Sequence, residues 1–140
     1  MTDEGFAYRQ RAIGQWLTED FGDATEITKQ WEITDEIDGI GAYRVQFVYQ
    51  SGWFGLGIHR VRMLSAPPGA PDNTTVLAVD EHEGTAAHRN KDNVYELRLE
   101  SHDPALKYYI AADIRGTPRE HEADKQGCNG EVRMSKIRPR

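Results

Sequence analysis

Asp80, His82 and His88 fall within the run "VDEHEGTAAHRNKDN", which also holds Arg89, Asn90 and Asp92. Two imidazoles and a carboxylate are a donor set for zinc or iron. Here, however, the pair is Asp-x-His, and no later Glu and His stand at a spacing that completes a metal centre. The hard oxygens of "DNTT", "DEHEG" and "NKDN" suit calcium better, but no compact loop shows the regular ligand spacing of an EF-hand. The expectation is therefore no metal centre and no cofactor, with a structural calcium favoured over a catalytic zinc or iron among the ions these donors could accept. Asp80 and His82 stand two apart on a strand and point to the same side. With Asn93 they read as side chains that tie strand ends to the connecting loop, and Gly84 reads as a residue in a special backbone conformation.

Nucleophilic catalysis finds no support in the remaining reactive residues. Cys128 is the single cysteine and sits in "GCNG" with no histidine nearer in sequence than His121. No serine has the context of a nucleophile elbow. Paired carboxylates for glycoside hydrolysis need a separation that spacing along a chain cannot supply. No phosphate-binding loop or dinucleotide fingerprint is present. No catalytic residue is assigned, and an enzyme is the less favoured expectation.

Trp53 and Phe54 stand side by side in "QSGWFG". Aromatic faces at a loop tip, with Asp, Asn, His and Arg nearby, suit a flat hydroxylated ligand such as a sugar. The ring covers the C–H face while the polar groups exchange hydrogen bonds with hydroxyls. The alternative is that both rings fold back and plug the end of the core. The candidate ligand-binding set is Trp53, Phe54, His82, His88, Arg89, Asn90 and Asp92.

Short strands must position these residues. At 140 residues the chain is one domain with a single core. From Lys29 the hydrophobic period is two. "AYRVQFVY" sets Tyr43, Val45, Phe47 and Tyr49 against Arg44 and Gln46, and "VYELRLE" sets Tyr95, Leu97 and Leu99 against Glu96, Arg98 and Glu100. In "LGIHRVRML" the apolar side changes between Ile58 and Val61, which predicts a bulge near His59. With "QWEIT", "TTVLAVDEH", "LKYYIAADI" and "GEVRMSKI", seven strands predict an all-β antiparallel sandwich of jelly-roll type. Residues 1–27 read as an irregular N-terminal arm with one or two helical turns, anchored by Trp16, and residues 28–140 as the sandwich. Trp16 and Trp31 are expected in the core.

Successive antiparallel strands reverse direction, so alternate connections share an end of the sandwich. "QSGWFG", "EGTAAHRNKD" and "RGTPREHEADKQGCNG" are expected at one end, and "DEIDGIG", "SAPPGAPDN" and "SHDPA" at the other.

A net charge of −6 argues against a nucleic-acid partner, which needs a basic surface. No run of 18 apolar residues exists to span a membrane. The start "MTDEGFAYRQ" lacks the pattern of a signal peptide. A whole chain of this kind would be cytoplasmic; a piece of a larger exported protein would be extracellular or periplasmic.

The order of "IGQW", "WEIT", "GAYRVQFVYQSG", "LGIHRVRML", "VDEHEG", "NVYELRL", "YYIAADIRG" and "NGEVRM" resembles the galactose-binding-like, carbohydrate-binding-module-like β-sandwich domains appended to bacterial glycoside hydrolases, including hexosaminidase-type enzymes. The resemblance covers about Ile13 to Met134. This sequence departs from the family pattern after "YQSG", where Trp53 and Phe54 replace a small and a basic residue. It departs again at "TPREHEADKQGC", where the pattern has a Gly-Thr-Asp-Ser-like run. The resemblance implies a jelly-roll fold and a non-catalytic role: binding carbohydrate, or holding a neighbouring catalytic domain of a polysaccharide-processing protein. The alternatives are a protein-interaction or assembly module and a small metal-dependent enzyme at the "DEHEG" loop. The oligomeric state is left open.

Overall fold

The computed structural model describes residues 10–17, 20, 26–52, 56–81, 84–86, 92–115 and 128–137. Among them the chain forms nine strands: β1 (Arg11–Trp16), β2 (Glu26–Glu32), β3 (Gly41–Gly52), β4 (Leu56–Ala66), β5 (Thr75–Asp80), β6 (Gly84–Ala86), β7 (Asp92–Leu99), β8 (Lys107–Arg115) and β9 (Cys128–Lys136). A 3-10 turn, Thr34–Glu36, follows β2.

Two antiparallel sheets result. One has four strands in the order β1-β9-β3-β7; the other runs β2-β8-β4-β5, with β6 pairing the start of β4. With β6 set aside, the pairings β1·β9, β2·β8, β3·β7 and β4·β5 describe a long hairpin folded over on itself. β9·β3 and β8·β4 then close each sheet. That is the jelly-roll arrangement, as the alternating pattern predicts.

The core lies between the sheets. Tyr43, Val45 and Phe47 of β3 are fully buried, as are Tyr95, Leu97 and Leu99 of β7, while Glu96, Arg98 and Glu100 are exposed. Each large apolar side chain withdrawn from water contributes roughly 1.5–3 kcal/mol. The predicted bulge is present: the β4–β8 register shifts between Ile58 and Arg60, so Ile58, Val61 and Met63 all face inward. Tyr95 donates its hydroxyl to the Ile58 carbonyl beside the bulge, linking the sheets.

Three expectations change. The segment expected to be an irregular arm with helical turns contains β1 over 11–16, and β2 begins inside it at Glu26. β9 would otherwise leave an open edge, and "RAIGQW" pairs along it from Arg11↔Met134 to Trp16↔Gly130. Within the polar connection after β5, Gly84–Ala86 forms β6 against Leu56–Ile58, because β4 outruns β5 at that end. Gly84 therefore opens a strand. Finally, Trp16 is buried in the core as expected, but Trp31 is half-exposed. It covers the flank between β1 and β2, with Nε1 donating to the Gln15 carbonyl at 3.3 Å.

Candidate functional site

Register decides which strand ends meet. Gly52 at the end of β3 lies opposite Cys128 at the start of β9, and Val48 lies opposite Asp92, the first residue of β7. Gly57 pairs with Arg115 at the end of β8, and Glu26 at the start of β2 pairs with the same residue. The strand ends flanking the β3–β4, β5–β7 and β8–β9 connections therefore share one pole, called the upper pole below. The parity expectation is met for these strand ends. Trp53, Phe54, His82, His88, Arg89 and Asn90 lie outside the described residues, and Asp92 is described only as the start of β7.

Beside this pole, the outer face of the five-stranded sheet carries a polar array. On β8, Ile110, Ala112 and Ile114 point inward, so Tyr109, Ala111 and Asp113 point outward. Cross-strand neighbours complete three rows: Thr28, Asp113 and Arg60; then Gln30, Ala111, Arg62 and Val79; then Glu32, Tyr109 and Leu64. The row of Asp113 is nearest the upper pole.

Asp113 is 6% exposed although it stands on the outer side of the sheet. Its Oδ1 accepts from Thr28 Oγ1 at 2.7 Å and from Arg62 Nη2 at 3.0 Å, and its Oδ2 accepts from Arg60 Nε at 2.9 Å. A buried carboxylate is tolerated only when paired and hydrogen-bonded in this way. Arg60 also reaches Glu81, with Nη1 3.9 Å from its carboxylate. The Arg62 side chain is largely covered, and its Nε is buried without a partner. One carboxylate thus fixes two guanidinium groups beside half-exposed Tyr109 and exposed Val79 and Gln30. Such a surface can exchange hydrogen bonds with hydroxyl groups and lay a ring against a C–H face.

Asp80 accepts a hydrogen bond, as expected, but the donor shown is on a strand rather than in the connecting loop: its Oδ2 accepts from the Glu96 amide at 2.9 Å. That bond ties β5 of one sheet to β7 of the other. The side chains of His82 and Asn93 lie outside the described residues. Among the described residues, no three His, Cys, Asp or Glu side chains are grouped to hold a metal ion. No helix among them is long and apolar enough to cross a membrane.

The sequence reading missed the Asp113 array. Two signals pointed to it. A bulge at His59 turns Arg60 and Arg62 to the face opposite Val61 and Met63. Asp113 is also the one charge inside "YYIAADI", and a lone acid in an apolar run needs a cation.

No protein-family model matches the chain. No curated protein matches it either. Similar solved structures include a carbohydrate-binding module of the β-sandwich superfamily, at 11% identity and TM-score 0.47 over 92% of this chain and 55% of that one. Triatoma virus matches at 11% identity and TM-score 0.42 over 94% of this chain and 64% of that one. A module in complex with β-1,4-galactotriose matches at 14% identity and TM-score 0.36 over 91% of this chain and 88% of that one. The chain spans about half the length of the first of these. Sugar-binding modules and a virus appear side by side, so neither ligand nor assembly carries over to this chain.

Proposed function

We propose that this domain binds carbohydrate without catalysing a reaction, as an accessory module of a bacterial polysaccharide-processing protein. The observation that carries this reading is the convergence of three connections' strand ends on one pole, directly beside the Asp113 array. Trp53 and Phe54 supply the stacking surface, and His82, His88, Arg89, Asn90 and Asp92 supply polar contacts from the connections. Arg60, Arg62, Gln30 and Tyr109 extend the contact surface down the sheet, with Asp113 holding both arginines in position. A neighbouring catalytic domain is the expected partner in the parent protein.

A glycan array probed with the intact domain tests this. The expected result is selective binding to one glycan class, weakened about tenfold or more by Arg62→Ala. A blank array, or binding indifferent to that substitution, would count against the proposed surface.

A second reading has its own observation. Val76 and Val79 are about half-exposed on β5, an edge strand, and exposed edges favour pairing with another chain. A concentration-dependent dimer that Val79→Lys abolishes would favour an assembly module instead.

A further inference from the structure

The two arginines of the outer-face array carry more charge than the carboxylate beneath them balances. Arg60 and Arg62 stand two apart on β4, so both project from the same face. By register only Arg60 lies opposite Asp113, whereas Arg62 lies opposite Ala111, a row further from the upper pole. Arg62 nevertheless reaches Asp113 Oδ1, while Arg60 takes Oδ2. The two guanidinium groups are thus drawn together across the width of one carboxylate.

A guanidinium has five N–H donors, so the bonds to Asp113 leave most of them unspent. The Arg60 side chain is 41% exposed and that of Arg62 20%, and both present surface to solvent. Among the described residues, Glu81 is the other acid paired with Arg60. It lies 3.9 Å away, beyond hydrogen-bond distance, and is 64% exposed. An exposed pair of that length contributes little, and a better-placed anion can displace it. The neighbouring outward side chains of Thr28, Gln30, Tyr109 and Val79 are neutral, and Glu32 lies 3.7 Å from Lys107. The whole chain carries −6, but at physiological salt that field is screened beyond about 8 Å. The nearby guanidinium groups therefore decide which charge this surface accepts.

Resting on the carbohydrate reading above, we infer that the surface selects an acidic glycan whose sugar rings carry a carboxylate, that is, a uronic acid polymer. The carboxylate is held by Arg60 and Arg62 and displaces Glu81 from Arg60, while the ring lies against half-exposed Val79 beside Arg62. A planar guanidinium fork matches a carboxylate at two points, which a neutral hydroxyl cannot reproduce.

Calorimetric titration of the intact domain with short oligomers of galacturonate, glucuronate and mannuronate, each beside its methyl ester, tests the inference. Esterification removes the charge and keeps the ring. At least one acid is expected to bind about tenfold tighter than its ester, or more. Arg60→Gln is expected to weaken that acid by a similar factor and to leave the ester nearly unchanged. Glu81→Gln removes a competing carboxylate from an exposed side chain, so the fold is retained and the acid is expected to bind several-fold tighter. Equal binding of acid and ester, a sulfated galactan that matches the acid, or an acid affinity indifferent to Glu81→Gln would overturn the inference. If neutral glycans bind instead and lose affinity in Arg62→Ala, the carbohydrate reading survives without it. If no glycan binds, acidic or neutral, both fall.

Discussion

Asp113 is a structural anchor first, and in the proposed reading it serves recognition only by holding two arginines in place. With 6% exposure and three donors on its two oxygens, it cannot be removed without leaving the largely covered Arg62 without this partner and Arg60 with only its longer contact to Glu81. Asp113→Ala is expected to destabilise the fold by about 3–5 kcal/mol, as removal of one partner from a buried pair does. Asp113→Asn keeps the shape and one acceptor oxygen, so its cost should be smaller; equilibrium denaturation of both variants checks the order. Tyr43 gives a prediction in pH. Burial raises the pKa of its phenol above 10, while the hydrogen bond from the Asp38 amide pulls the other way and the Asp38 charge adds to the rise. The unfolded phenol ionises from about pH 10 while the folded one keeps its proton, so the folded state binds more protons there and stability falls as pH rises. Between about pH 8 and about pH 11 the denaturation midpoint of the wild type should drop more steeply than that of Tyr43→Phe. Equal slopes would mean that another group governs the alkaline limb. Neither role was legible as such: Asp113 looked like one acid among many, and its partners become neighbours only through register.

Strand β1 was misread because its own sequence is a weak guide. "RAIGQW" contains Gly14, which lowers helix and strand propensity alike, and its two faces do not alternate. What makes it a strand is the open edge of β9, a partner more than a hundred positions away. The same glycine has a packing reason. A Cβ on Gly14 would overlap the Trp31 ring, standing 2.6 Å from Cγ. A Cβ on Gly130, opposite Trp16 on β9, would overlap the Trp16 ring and lie 2.6 Å from the Val48 carbonyl oxygen. Trp31 is half-exposed and can swing outward, whereas Trp16 is buried and the Val48 carbonyl belongs to the sheet. Gly14→Ala should therefore cost about 1–3 kcal/mol, and Gly130→Ala more than that. Urea denaturation of the two variants measures the order directly, and a reversed order would show that Trp31 is the less movable ring. The bulge at His59, by contrast, could be read locally, since the apolar side changes within four residues of one strand.

For the molecule as a whole, the jelly roll was legible because period-two alternation and turn-forming clusters recur along most of the chain. Its consequence, a shared pole for alternate connections, follows from antiparallel pairing and is met at Gly52, Asp92, Arg115 and Cys128. The ligand was not legible, because the proposal places specificity in connections whose sequence departs from the resembled pattern at Trp53, Phe54 and 117–128. On the proposed reading a ligand is presented at this pole, and the residues there decide which one. The most direct measurement is calorimetric titration of the strongest glycan from the array into the wild type and into Trp53→Ala. Carbohydrate binding at the upper pole predicts a loss of about tenfold or more, about 1.4 kcal/mol or greater, with the melting temperature unchanged. Identical affinities for the two proteins would contradict it.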